Sequence, residues 1–189
     1  MDIFLEYLMR KKPSGTDVMI KFGLVLAAVV LCVIMLGLPV VFGAFISTYV
    51  PLVIVAIIYG LMVLLRNFNL EYEYIFTNGD LDIDIIKGRK TRKRLVSFQC
   101  KDIEIMASAE TGVYANEFNR EGIASVYDAV YDTARGGVYC VLFAKDGKKH
   151  TLSFQPPVKL LEAMQKMNPR CVHLTPEDIA EIAELAKEE

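Results

Sequence analysis

The stretch from Phe22 to Leu65, "FGLVLAAVVLCVIMLGLPVVFGAFISTYVPLVIVAIIYGLMVLL", runs for 44 residues without a charged side chain. One bilayer-spanning helix takes ~20 apolar residues, so this length suits two. Helix-weakening residues gather in the middle, at Gly37, Pro39 and Gly43 and then Ser47, Thr48 and Pro51, and mark the break. The pattern predicts helices near Ile20–Phe42 and Phe45–Leu65, joined by a very tight turn. A helical hairpin buried in a soluble core would keep a polar stripe on each helix, and neither segment has one. A cleaved signal peptide fits poorly. The first apolar run exceeds the ~7–15 residues of a signal core, and a second follows without a persuasive cleavage site.

Lys and Arg orient the hairpin. Arg10, Lys11, Lys12 and Lys21 lead into the first span, Arg66 closes the second, and the turn between them is uncharged. Positive residues stay on the cytoplasmic side, which predicts that both termini are cytoplasmic. Cys32, Cys100, Cys140 and Cys171 are scattered, with no C-x-x-C pair, as suits a reducing compartment.

The rest of the 189 residues reads as one domain with an appendage. Before the membrane, Ile3, Phe4, Tyr7 and Leu8 fall at helical spacing, with Asp2, Glu6 and Lys11 elsewhere on the wheel. A short interfacial helix and a helical lead-in to the first span fit this equally. After Arg66 the period changes to two. "EYEYIFTNGDLDIDIIKG" predicts a hairpin with Asn78-Gly79 at its tip. "RLVSFQCKDIEIMA" is a further extended stretch, residues 107–121 are a loop, and "IASVYDAVYD" can form a strand. "VYCVLFAKDGKKHTLSFQ" predicts a second hairpin around Asp146-Gly147. "VKLLEAMQKM" has the spacing of an amphipathic helix. Thr175-Pro176-Glu177-Asp178 is a capping box that starts an acidic helix. The expected fold class is α+β: a two-helix transmembrane hairpin followed by an antiparallel β-roll with a C-terminal capping helix. The expected divisions are an N-terminal amphipathic segment (1–17), the hairpin (18–66), the roll (67–170) and an acidic helix or tail (171–189).

This order of an apolar hairpin, "YEYIFTNGDLDI", "RLVSFQCKDIEIM", a "KDGKKHTLSF" hairpin and a terminal helix resembles a family of uncharacterised small bacterial membrane proteins. It is also similar to bacterial pleckstrin-homology-like (PH-like) domains that follow paired transmembrane helices. The resemblance implies a PH-like roll, an intramembrane anchor, a bacterial inner-membrane location and no catalytic residue. In one respect the chain departs from lipid-binding PH domains, which place their cations in the first hairpin loop. Here that loop is "TNGD", and the basic run lies one connection later.

Little in the chain suggests catalysis, and no cofactor is expected. His150 and His173 lie in different elements, with His150 expected on the surface beside Lys148 and Lys149. Cys171 and His173 form C-x-H without the further ligands that zinc needs, so no metal is expected. No glycine-rich phosphate cradle is present. Asp82 and Asp84 share a strand face, as paired catalytic acids can, but their alternation with Leu81, Ile83 and Ile85 predicts a solvated outer face.

The conspicuous polar feature is "KGRKTRKR", six cations at Lys87, Arg89, Lys90, Arg92, Lys93 and Arg94 in a chain of net charge −2. It lacks the interleaved aromatics of a nucleic-acid surface and sits near a transmembrane segment, so nucleic acid is not an expected partner. A membrane-proximal cluster of this size attracts anionic lipid at ~1 kcal/mol per cation near the surface. It also works as a solvated turn that sets topology and blunts a sheet edge. The expected function is therefore that of a membrane-anchored, non-enzymatic protein whose cytoplasmic domain binds anionic lipid headgroups or a protein partner. The alternative is a structural or accessory subunit of a membrane complex, or a homo-oligomer, using Ile3–Leu8 and Glu177–Glu189 as contacts.

Overall fold

The computed structural model describes residues 3–188. It contains two compact units. One gathers the described residues of Met1–Lys12, Glu71–Ile86 and Thr91–Glu189; the other gathers Pro13–Leu70 with Lys87–Lys90.

The helical unit opens at α1 (Gly15–Phe42), continues through a 3₁₀ turn (Ala44–Thr48) and returns along α2 (Val50–Asn67). The backbone N–H of Ser14 donates to the Asp17 carboxylate at 3.1 Å. This N-terminal cap starts α1 a turn and a half ahead of the apolar pattern. Pro51 stands in the first turn of α2, where its missing N–H costs nothing. With mean hydropathies of 2.8 and 2.1, both helices are long and apolar enough to cross a membrane. Many of their described apolar side chains, among them Phe22, Val29, Leu52 and Tyr59, are exposed, and of those in α2 Val50 is buried. Gly23, Gly37 and Gly60 have no neighbour within 4 Å of where a Cβ would stand, so these glycines do not serve close helix contact.

In the sheet unit, Phe4–Arg10 forms a strand, β1, and not the helix that its spacing suggests. It pairs antiparallel with β2 (Leu70–Thr77), aligning Leu5 with Phe76, Tyr7 with Tyr74 and Met9 with Tyr72. Leu5, Tyr7 and Met9 pack on the core while Phe4, Glu6, Leu8 and Arg10 face outward. The segment satisfies both periods, and an isolated helix this short is marginal in water. Pairing with β2 gives its backbone groups partners and covers an edge that would otherwise be open. The expected amphipathic helix over Ile3–Leu8 is thus corrected; Asp2 and Glu189 lie outside the described residues.

Beyond the hairpin come β3 (Asp80–Lys87) and β4 (Thr91–Gln99), which complete a four-stranded sheet in the order β1-β2-β3-β4. A second sheet has the order β6-β8-β7-β5-β9. Its strands are β5 (Ile103–Ser108), β6 (Ile123–Ala129), β7 (Tyr139–Lys145), β8 (Lys148–Phe154) and β9 (Val172–His173). Two of its pairings, β6 with β8 and β5 with β9, are parallel. A short helical turn, α3 (Ala115–Phe118), lies in the long connection after β5. The expected hairpin tips hold: Asn78-Gly79 and Asp146-Gly147 both take positive φ. Next are α4 (Val158–Met167) and α5 (Pro176–Glu188), the latter capped as expected, with the Asp178 N–H donating to the Thr175 hydroxyl at 3.2 Å.

The core joins Tyr74, Phe76, Leu81 and Ile83 of the first sheet to Phe143, Leu152 and Phe154 of the second and to Leu160 and Met164 of α4. Phe98 stacks on Phe143 with centroids 4.3 Å apart, linking the sheets. The Tyr74 hydroxyl, fully buried, donates to the Ala129 carbonyl at 2.7 Å. Tyr74→Phe leaves that carbonyl without its donor, and we expect a loss of ~1–2 kcal/mol in unfolding of the solubilised full-length chain.

Candidate functional site

The basic run is a turn followed by the start of a strand, and these two parts do different things. Lys87-Gly88-Arg89-Lys90 is the tip of the β3–β4 hairpin. The Lys90 N–H donates to the Lys87 carbonyl at 3.1 Å, with φ of 55° at Gly88 and 57° at Arg89. Two consecutive positive φ values are those of a type I′ turn, which suits the twist of the flanking strands. Left-handed backbone costs Arg89 ~1 kcal/mol, which the hairpin register supports. Gly88 has a second reason to be glycine. A Cβ there would stand 2.7 Å from Arg66 Cγ and 3.1 Å from the Arg66 carbonyl oxygen. The Gly88 N–H also donates to the Asn69 carbonyl at 2.8 Å. The turn therefore sits directly on the end of α2, with Lys87, Arg89 and Lys90 exposed.

The strand half is tied to carboxylates. Arg92 reaches Asp84 through Nε (2.6 Å) and Glu73 through Nη2 (2.5 Å). Arg94 reaches Asp82 through Nη1 (2.6 Å) and holds the other Asp84 oxygen through Nε. The Asp84 side chain is only 5% exposed, so both of its oxygens are occupied by guanidinium groups. This corrects the expected solvated face at Asp82 and Asp84: alternation assigns a residue to a face but says nothing of what covers that face. Lys93, between the two arginines, is exposed. Burial pushes the Glu73 carboxyl above its ordinary value of 4.5, the opposing pull of Arg92 is the smaller effect, and Glu6 and Asp84 add to the rise.

The topology cations also separate. The Lys12 ammonium pairs with Asp132 at 2.6 Å, and its backbone N–H donates to the Tyr131 carbonyl at 2.7 Å, so Lys12 fastens the end of β1 to the segment after β6. The same ammonium holds the Asp132 carboxyl below its ordinary range, helped by the Ala134 N–H. Arg10 is exposed on β1 opposite Glu71, and Lys11 is half-buried. Lys21 lies 5.8 Å from the Phe68 ring centroid, in cation–π range, at the same helix ends as Arg66.

His150 is not a plain surface residue. Paired across the hairpin with Phe143, it stacks on that ring at 5.5 Å and its Nδ1 is buried. His173 stacks on Tyr114 at 4.9 Å. A recess of about 500 Å³ opens in the sheet unit among Tyr7, Tyr131, Arg135, Tyr139, Asp178 and Glu181. Tyr139 donates its hydroxyl to Asp178, and burial raises its pKa well above the ordinary range. The sequence pattern did not point to this recess, because its walls come from β1, β7, α5, the 131–137 segment and the stretch from Gln155 into α4.

The family described as Bacterial PH-like domain (DUF6106) matches residues 1–174. Neither curated proteins nor solved structures give a match.

The raised Glu73 carboxyl yields a pH prediction. Its protonated form is the one the fold prefers, so its contribution to stability is present below 4.5 and is lost as pH rises through the raised value. Glu73→Gln should therefore raise the unfolding midpoint of the full-length chain near neutral pH. The gain should disappear at about pH 4. Asp132 has the opposite sign, and Lys12→Gln should remove stability near neutral pH and have little effect well below 3.8.

Proposed function

This chain is a member of the bacterial PH-like domain family, and from that premise we propose that it is a membrane-anchored adaptor that engages anionic lipid headgroups at the membrane surface. In this reading α1 and α2 cross the bacterial inner membrane as a multi-pass anchor. Both termini and the PH-like sheets are cytoplasmic, following the cations at Arg10, Lys11, Lys12, Lys21 and Arg66 and the uncharged far turn. The contact with headgroups is made by Lys87, Arg89 and Lys90, with Lys93 alongside. Arg92 and Arg94 are occupied by Asp82, Asp84 and Glu73 and shape the strand that carries the turn. The reading requires no catalysis, metal or cofactor.

The observation that carries it is the packing of the type I′ turn on Arg66 and Asn69, where the apolar length of α2 ends. Cations within a Debye length of an anionic surface gain ~1 kcal/mol each. The turn is held there by the hairpin and by Gly88, so little ordering entropy opposes the contact.

A second reading, an accessory subunit of a membrane complex or a homo-oligomer, draws on the recess beside β1. Its tyrosines and its mixed Arg135, Asp178 and Glu181 charges suit a protein surface.

The test uses the full-length chain in nanodiscs of neutral or of anionic lipid, read by hydrogen exchange. Residues 87–93 should exchange several-fold more slowly in anionic discs, and the protection should fall as salt is raised. Lys87→Gln/Arg89→Gln/Lys90→Gln should abolish it. Equal exchange in both discs at low salt would reject the headgroup reading. Salt-resistant co-purification of a partner from detergent would then favour the subunit reading.

A further inference from the structure

We propose that the groove between the charged ends of α1 and α2 is a binding site for one anionic phospholipid. The inference rests on the membrane reading above and concerns a different site from the turn. The groove holds about 650 Å³ and is lined on α1 by Val18, Lys21, Phe22 and Val25, and across from them by Met62, Leu65, Arg66 and Asn69. Its chemistry is graded. Phe22, Val25, Met62 and Leu65 form an apolar wall, and Lys21 and Arg66 are its two cations. An acyl chain against the wall with a phosphate at the cations satisfies both ends, and this chemistry selects an anionic amphiphile over a soluble anion or a neutral lipid.

Depth supports the same occupant. From Phe22 to Phe42, α1 carries no charge over about 21 residues. At ~1.5 Å per residue that is ~31 Å, close to the ~30 Å of bilayer hydrocarbon. Lys21 therefore lies where the hydrocarbon ends. Arg66 lines the same groove from α2, so two cations meet at headgroup level, one from each helix.

Arg66 is also held in place. Gly88 closes over its side chain so tightly that a Cβ would fall 2.7 Å from Cγ, and the Gly88 N–H ties the turn to Asn69. Topology alone asks only for positive charge on one side of the membrane and does not require an arginine to be clamped. A preorganised guanidinium loses less freedom when it binds a phosphate, to which it presents a bidentate fork. Lys21 rests near the face of Phe68, from which a phosphate can draw it at modest cost.

The full-length chain, purified in an uncharged detergent, is titrated with phosphatidylglycerol or with phosphatidylcholine of the same acyl chains and read by native mass spectrometry. The expected result is one retained phosphatidylglycerol per chain, preferred at least about tenfold. That preference should fall to parity in Lys21→Gln/Arg66→Gln, persist at reduced strength in the charge-keeping Lys21→Arg/Arg66→Lys because the lysine lacks the bidentate fork, and survive unchanged in the triple turn variant. Val25→Trp fills the apolar wall without touching a charge and should lower retention several-fold, which keeps the test sharp if the double variant folds poorly. Gly88→Ala, by displacing Arg66, should weaken retention as well. Soluble glycerol phosphate should not compete. No preference in the wild-type chain, competition by glycerol phosphate, or loss only in the turn variant would each overturn the groove site. The last of these would leave the headgroup reading of the turn standing. Release of the chain from membranes by alkaline carbonate would instead sink the membrane reading on which both depend.

Discussion

The pairing of β1 with β2 is the contact on which the rest of the fold hangs. These strands neighbour each other in the sheet, with Arg10 opposite Glu71, yet α1 and α2 are threaded between them. The helical hairpin is in effect the connection of a β-hairpin, and its two ends must return to within a strand spacing of each other. Closing so long a loop costs little more than closing one half its length, because the entropy grows only logarithmically. Two antiparallel helices meet the requirement, since a hairpin brings its ends together by construction. In return the register of β1 buries Leu5, Tyr7 and Met9 and completes the core around Tyr74.

That insertion changes what the charges mean. In the linear sequence the six cations from Lys87 to Arg94 form one block. In the fold, a turn of the chain puts Lys87, Arg89 and Lys90 at the end of α2, and strand pairing puts Arg92 and Arg94 against Asp82, Asp84 and Glu73. A buried carboxylate such as Asp84 is tolerable only with partners, and the two guanidinium groups supply them from half-exposed positions. Arg92 and Arg94 thus contribute to the sheet, while Lys87, Arg89 and Lys90 are exposed at the hairpin tip. Glu73 is the imperfect member of the network: it is buried close to two other carboxylates and shares Arg92 with Asp84, and its raised pKa follows.

Much of this was legible beforehand. The uncharged run from Phe22 to Leu65 announced two helices because its length suits two apolar spans and the glycines and prolines near its middle mark the break between them. Asn78-Gly79 and Asp146-Gly147 announced hairpins, because few other dipeptides accept positive φ twice in succession. Thr175 and Asp178 announced the start of α5. A turn in the basic run was also legible, but its left-handed type at Gly88-Arg89 was hidden: arginine carries no left-handed preference, and its conformation is imposed by the register of β3 and β4. The strand at Phe4–Arg10 was hidden because its residues satisfy a helical and an extended period alike.

The sequence by itself determined the elements whose causes are local: the apolar spans, the hairpin tips, the capped acidic helix and the net placement of cations at one end of the hairpin. Only the tertiary structure decided the fate of β1, the burial of Asp84, the division of the basic run and the clamp of Gly88 on Arg66. Each of these depends on residues far apart in the chain, and local patterning carries no information about which distant backbone edge or carboxylate will arrive. For β1, long-range pairing outweighed a marginal local helix. For Arg92 and Arg94, the desolvated acids of neighbouring strands outweighed solvent.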